Sequence, residues 1–246
     1  QTISELAVSN GEFFAACGPR AYETSGFTEA TMRQAKYLPA ESLEDRVEET
    51  IAALKSQKTG IVYLYIPELD QIAHAEGSTS AKWLAKLEEV DHALAQLASR
   101  VSADTGVVVT ADHGIIDVPH GNHIFLDQHL EAGVDFVGGD PRVNFVYLSD
   151  GATANVTAVV SDLRAQLGDR CFVSTRDELI NQGWYGSHVS KEAFAYLPDV
   201  FVIARATVAI YDRRFAKPKS MKMIGQHGGF TAQETKIPLI TLGAFS

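Results

Sequence analysis

The sequence predicts an α/β fold: mostly parallel strands flanked by helices, with a small α+β portion inserted late in the chain. Three observations predict it. β-Branched and aromatic runs alternate with amphipathic stretches. Two of those runs, GIVYLYI and GVVVT, lead directly into clusters of acids and histidines. The texture then changes near Gly138, where shorter strand-like and helix-like segments follow one another. Strand, helix, strand in this order implies parallel strands joined by right-handed crossovers. Ligand sites in such sheets gather at the carboxyl ends of the strands, and both acid–histidine clusters fall there.

Each element has its own justification. EFFAACGP reads as a short strand stopped by Gly18 and Pro19. SLEDRVEETIAALKSQ opens on a Ser42 cap with Asp45 three residues on, and Val47, Ile51 and Leu54 fall on one helical face. GIVYLYI is a near-continuous apolar run, the pattern of a central strand covered on both sides. SAKWLAKLEEVDHALAQLASRV is a long amphipathic helix, with Trp83, Leu87, Val90, Leu94 and Leu97 at helical spacing. GVVVTADHG reads as a second central strand. Residues 1–137 are therefore expected to form part of a main α/β domain and 138–220 an inserted α+β subdomain. Residues 221–246 would return to the main domain, with IPLITL as a strand.

Composition narrows the function classes. The 246 residues are 46% hydrophobic and 21% charged, an ordinary globular balance. Net charge is −10, from 31 acids against 21 bases, and no Lys/Arg block exists. A counterion-release grip on a nucleic-acid polymer is not expected. No apolar stretch is long enough to span a bilayer, so no membrane partner is expected either. Cys17 and Cys171 stand far apart in dissimilar contexts and suggest neither a disulfide framework nor a thiolate metal site. The opening QTISELAVSNGEFF lacks the basic-then-apolar pattern of a signal peptide and an initiator Met. The start of this chain is thus expected not to be the start of the gene product.

The chemistry-bearing residues point to metal. Asp and His donors without cysteine suit a catalytic rather than a structural zinc site. Asp70 and His74 are four apart, so one helical turn after a strand aims both the same way. Asp112 and His113 sit on a sharp turn whose following Gly114 permits tight backbone geometry. His227 lies in GQHGG, where glycines let the chain pass close to something bulky. A lone DxxxH or Asp-His pair is commonly a solvated turn; the three together are far more specific.

YIPELDQIAHAEG, VVVTADHGIIDVP and GQHGGFTAQETKIPL resemble the successive metal motifs of the alkaline phosphatase superfamily, nearest its nucleotide pyrophosphatase/phosphodiesterase branch. GPRAYETSGFTEATMRQAKYLPAESLEDRV resembles the segment before the first motif in bacterial members. The resemblance implies an alkaline phosphatase-like fold and two zinc ions side by side. It implies that one is held by Asp70, His74 and His227, and the other by Asp112 and His113 plus an earlier Asp and a Thr or Ser nucleophile. This chain would then carry one complete site and one half-site.

Two departures qualify it. Ala73 stands where the family usually has Gly before the first His, a mild change. More seriously, the early Asp and the Thr/Ser nucleophile are expected upstream of Gln1. TSGFTEATM offers Thr24, Ser25, Thr28 and Thr31, but it matches a family segment downstream of the nucleophile. No catalytic residue is therefore expected within these 246 residues.

Other residues have plainer readings. His120 and His123 suit a solvated loop better than a role near the metals. His92 and His129 receive no role, and His188 lies in the expected inserted subdomain. Trp184 and Tyr185 suit packing better than base stacking. Asn155 and Thr157 form a glycosylation sequon by pattern, and Thr231 with Glu234 a capping box.

The resemblance implies a two-zinc hydrolase acting by in-line displacement at phosphorus on a nucleotide-type phosphodiester or pyrophosphate. A phosphomonoesterase of the same superfamily and a non-catalytic metal-binding module are the rival readings. The expected macromolecular partner is the protein's own N-terminal portion or a second copy, either of which would cover sheet edges left bare.

Overall fold

The structure, a computed structural model, describes residues 1–130, 133–153 and 155–246, without the side chain of residue 152. Its strands run in chain order as β1 (Phe13–Gly18), β2 (Lys36–Pro39), β3 (Gly60–Leu64), β4 (Gly106–Thr110), β5 (Ile116–Asp117) and β6 (His123–Phe125). They continue as β7 (Val134–Asp140), β8 (Val143–Leu148), β9 (Cys171–Thr175), β10 (Val200–Ala204), β11 (Ala209–Tyr211), β12 (Gly225–Gln226) and β13 (Leu239–Gly243). Two compact units form. The first comprises residues 1–69, 84–110 and 239–246, the second 70–83 and 111–238. The segment 138–220 lies wholly within the second unit.

In the first unit a sheet of order β2-β1-β3 is parallel throughout, with Ala15 opposite Lys36 and Phe13 opposite Gly60. The crossover into β3 is the helix Leu43–Ser56, whose first turn is capped by the Ser42 hydroxyl accepting the Asp45 N–H at 3.0 Å. Val47 and Ile51 from that helix pack with Ala93 and Leu97 of the helix Ala81–Arg100, against Leu64 and Val107. IPLITL supplies β13, which pairs antiparallel with β4, Leu239 opposite Thr110.

Burial in this unit departs from the expectation in one respect. The enclosed strand is β1, buried from Phe14 to Cys17, although its apolar run is shorter than that of GIVYLYI. In β3, Ile61 is 47% and Tyr63 44% exposed, and in β4 Val108 is 50% exposed. Each of β3 and β4 takes part in a single ladder among the described residues. A strand's own composition does not bury it; what packs against its faces and edges does.

The second unit is built on an antiparallel sheet of order β7-β8-β10-β9. The helix Val156–Leu167 lays Val160, Leu163 and Leu167 on it at 3.6-residue spacing. With Val146, Val173, Val200 and Val202 they form the largest apolar cluster among the described residues. Two small ladders complete the unit. β11 pairs parallel with β6, and β12 pairs antiparallel with β5 in a register that sets Gln226 opposite Ile116. Residues just before β5 and just after β12 therefore leave that ladder at the same end.

Candidate metal centre

The β5–β12 ladder is the frame on which the second unit assembles its histidines. The helix Glu68–Glu76 docks on it through backbone bonds: the Ile224 N–H donates to the His74 carbonyl at 2.9 Å. The Asp117 carboxylate accepts the Ser78 N–H at 2.8 Å and secures the turn that follows the helix. Asp70 and His74, four residues apart, project from one face of this helix. The residue between them in question, Ala73, sits mid-helix and fully buried, so the helix needs no glycine there. His227 follows β12 directly, and Asp112 and His113 precede β5. The register thus brings three distant stretches of sequence to one place.

The His74 ring is held by its Nδ1–H, which donates to the Gly225 carbonyl at 2.7 Å. That bond leaves Nε2 as the free nitrogen. His74 Nε2 lies 3.3 Å from Asp70 Oδ1, and His227 Nε2 lies 3.9 Å from the same oxygen. One donor atom from each of Asp70, His74 and His227 lies within 4.8 Å of the other two. Asp70 Oδ1 is buried and has no hydrogen-bond partner. A buried, unpartnered carboxylate oxygen facing two imidazole nitrogens is costly unless something positive sits among them. The residues fit a divalent cation of zinc type: O/N/N donors and no thiolate.

The electrostatics favour the ligating forms of two of the three. Burial pushes the Asp70 carboxyl up, but the His74, His227 and His113 rings outweigh it and hold it below the usual range. Burial, reinforced by His113, pushes His227 below an ordinary histidine, toward the neutral form. His74 is raised, chiefly by the Asp70 carboxylate, with burial opposing and the Gly225 carbonyl assisting. Asp140, at the end of β7, adds its negative field to both imidazoles. Asp140, an acid in the β7–β8 hairpin, carries no local signal of this in the sequence.

Asp112 and His113 lie beside this trio without joining it. The His113 ring stacks on His227 with centroids 3.6 Å apart and planes 15° from parallel. Its Nδ1–H donates to the Gly114 carbonyl at 2.9 Å, and its Nε2 is 3.7 Å from Asp112 Oδ1. The Asp112 side chain is 86% exposed. Among the described residues only Asp70, His74 and His227 form a group of three or more such donors. Gly114 is required where it stands: a Cβ there would run into the Gln233 carbonyl, while its N–H donates to the Glu234 carbonyl at 2.8 Å.

The remaining residues from the sequence reading find structural employment. Ser25 caps the helix Gly26–Thr31 by accepting the Thr28 N–H, and the Thr28 hydroxyl donates to the Tyr22 carbonyl at 2.7 Å. His123 is a half-buried ring against Tyr211, not a solvated loop residue, and burial lowers its pKa. Its neighbour His120 stands edge-on to it at 5.3 Å. His92 pairs with Gln96 along its helix, and His129 with Gln166. Trp184 stacks on Phe172, consistent with packing. Glu234 accepts the Thr231 N–H as the capping-box pattern predicts. It also binds Arg142, a partner 92 residues away that no local pattern could indicate.

No curated protein matches this sequence. Among solved structures, murine ectonucleotide pyrophosphatase/phosphodiesterase 5, as an inactive threonine-to-alanine variant in complex with AMP, superposes with a TM-score of 0.73 at 18% identity. The match covers 97% of this chain and 62% of that one, so the chain spans less than two thirds of its relative. The human counterpart gives 0.70 at 15% identity over 97% and 62%. Phosphonoacetate hydrolase from Sinorhizobium meliloti, in complex with phosphonoacetate, gives 0.65 at 17% identity over 98% of this chain and 68% of that one. These likenesses establish the alkaline phosphatase-like α/β fold. The sequence description "Type I phosphodiesterase / nucleotide pyrophosphatase" matches residues 4–230, and the chain belongs to that family, in the nucleotide pyrophosphatase/phosphodiesterase branch of the alkaline phosphatase superfamily.

Proposed function

We propose that this chain is the metal-holding part of a phosphoryl hydrolase acting on phosphodiester or pyrophosphate bonds of nucleotide type. The observation that carries the reading is the trio Asp70, His74 and His227, gathered around a buried carboxylate oxygen without a partner. These three would hold one zinc ion; Asp112 and His113 would contribute to a second. When bound, such ions polarise a phosphoryl oxygen and favour negative charge on attacking and leaving oxygens. The chain's own residues orient the site: His74 is fixed by Gly225, burial lowers His227 toward its neutral form, and the neighbouring histidine rings hold the Asp70 carboxyl low. AMP and phosphonoacetate, bound by two fold relatives, support a small phosphorus-containing substrate.

The attacking hydroxyl is assigned to a Thr or Ser preceding Gln1. Ser25 and Thr28 support this by being engaged in a helix cap. The exposed rows of β3, β4 and β13, with Leu239 75% exposed, suit coverage by that preceding portion, or by a second copy. The test assays the zinc-loaded chain with a chromogenic phosphodiester and the matching monoester, then again alongside the polypeptide encoded upstream. The expected result is weak turnover alone, rising by several orders of magnitude with the upstream portion, and preference for the diester. Full activity from the isolated chain would overturn the assignment of the nucleophile. Monoester preference would favour the phosphatase reading. No turnover under any condition, with zinc bound, would favour a metal-binding module.

A further inference from the structure

Behind the metal donors lies a buried ion pair that ties their loops together. The side chains of Arg142 and Glu234 are almost wholly shielded from solvent. Arg142 Nε donates to Glu234 Oε1 at 2.8 Å and Nη2 to Oε2 at 2.6 Å, a bidentate fork. Arg142 Nη1 donates to the carbonyls of Ala206, at 2.6 Å, and Val208, which anchors the fork to the loop ahead of β11. Glu234 spends its remaining capacity on the loop that follows His227. Its Oε1 accepts the Gly229 N–H at 2.8 Å, and its Oε2 accepts the Thr231 N–H at 3.2 Å and the Thr231 hydroxyl. Gly229, two residues beyond His227, lies directly on the pair. A Cβ there would come 2.8 Å from Arg142 Nη2 and 2.6 Å from the Ala204 carbonyl. The Glu234 carbonyl meanwhile holds the Gly114 N–H, the residue after Asp112 and His113.

Glu234 therefore grips both histidine-bearing loops, the one after His227 by its side chain and the one at Gly114 by its backbone. A buried ion pair is weak evidence of a stabilising role, because apolar residues of similar volume often serve that end as well. What the fork provides here is a fixed origin from which His227 and His113 reach their stacked positions.

We propose that Arg142 and Glu234 are positioning residues of the metal centre, setting where His227 and the Asp112–His113 turn present their donors. This rests on the metal reading above, and the test separates the two. Co²⁺ serves as the probe, its visible absorption reporting both affinity and ligand geometry. Glu234→Gln keeps the size but turns an NH2 toward donors that need an acceptor; Arg142→Lys keeps the charge but loses the fork. Leu163→Ala, in the apolar cluster of the second unit, serves as a control for lost stability alone.

The expected result is a roughly 10–100-fold loss of Co²⁺ affinity with an altered spectrum in both clasp variants. Leu163→Ala should bind Co²⁺ as the wild type does. Wild-type affinity in a folded Glu234→Gln or Arg142→Lys would overturn the positioning role and leave the metal reading standing. Equal loss in Leu163→Ala would show that affinity merely follows stability, and would overturn it too. Failure of the wild type to bind Co²⁺ would remove the metal reading and the clasp with it.

Discussion

The two acid–histidine clusters look equivalent in sequence and are not equivalent in the folded chain. Asp70 and His74, joined by His227, form a sheltered trio around one oxygen. Asp112 and His113 supply two donors, one of them on a side chain that is largely in solvent. The difference is one of support. The helix Glu68–Glu76 and the β5–β12 ladder fix the trio from two sides, whereas the Asp112–His113 turn is tied by the Gly114 N–H to the Glu234 carbonyl and by the His113 ring stacked on His227. A cluster becomes a site when independent elements converge on it, not when the right letters are adjacent.

The comparison breaks first at the trio. His74→Ala or His227→Ala should lower zinc affinity by at least about 100-fold, since even groups one step removed from a metal are worth 10–100-fold. Competition with a chromogenic chelator measures it, and an unchanged affinity for either variant would dissolve the distinction between the clusters. The next effect is in pH. His74 is raised above an ordinary histidine by Asp70, while His227 is lowered by burial. Proton competition for His74 therefore sets in first as pH falls through its raised value. Zinc affinity should drop by up to about tenfold per pH unit there, one proton being displaced per ion. A flat affinity from pH 8 to 6 would contradict the assignment of His74.

Much of this was legible in advance for a physical reason. The pairing of Asp70 with His74 needs only helical periodicity, which the chain carries locally. The parallel pairing of β1 with β3, too, follows from strand–helix–strand alternation, whereas β2, which pairs on the other edge of β1, was not foreseen. The convergence of His227 on the trio depends on the β5–β12 register, a non-local fact, and was legible only through resemblance. Arg142 and Asp140 were invisible because their meaning lies in partners far along the chain. The exposure of β3 and β4 was misread because an apolar run says what a strand can pack against, not what is there.

Smaller effects sharpen the contrast. Asp112→Asn should change the affinity of the first zinc by no more than about twofold to threefold, because surface groups outside a site act weakly. A loss matching that of His74→Ala would place Asp112 in the trio. Ser25→Ala should cost about 1 kcal/mol of stability through the lost helix cap and leave zinc affinity untouched. Thermal unfolding and chelator competition on the same sample would report both.

The most direct test of the central claim is the zinc stoichiometry of the purified chain, by calorimetric titration after chelator treatment and dialysis. The account predicts one tight site per chain, with any second ion held at least about tenfold more weakly for want of a third protein ligand. Two equally tight sites, or none, would contradict it.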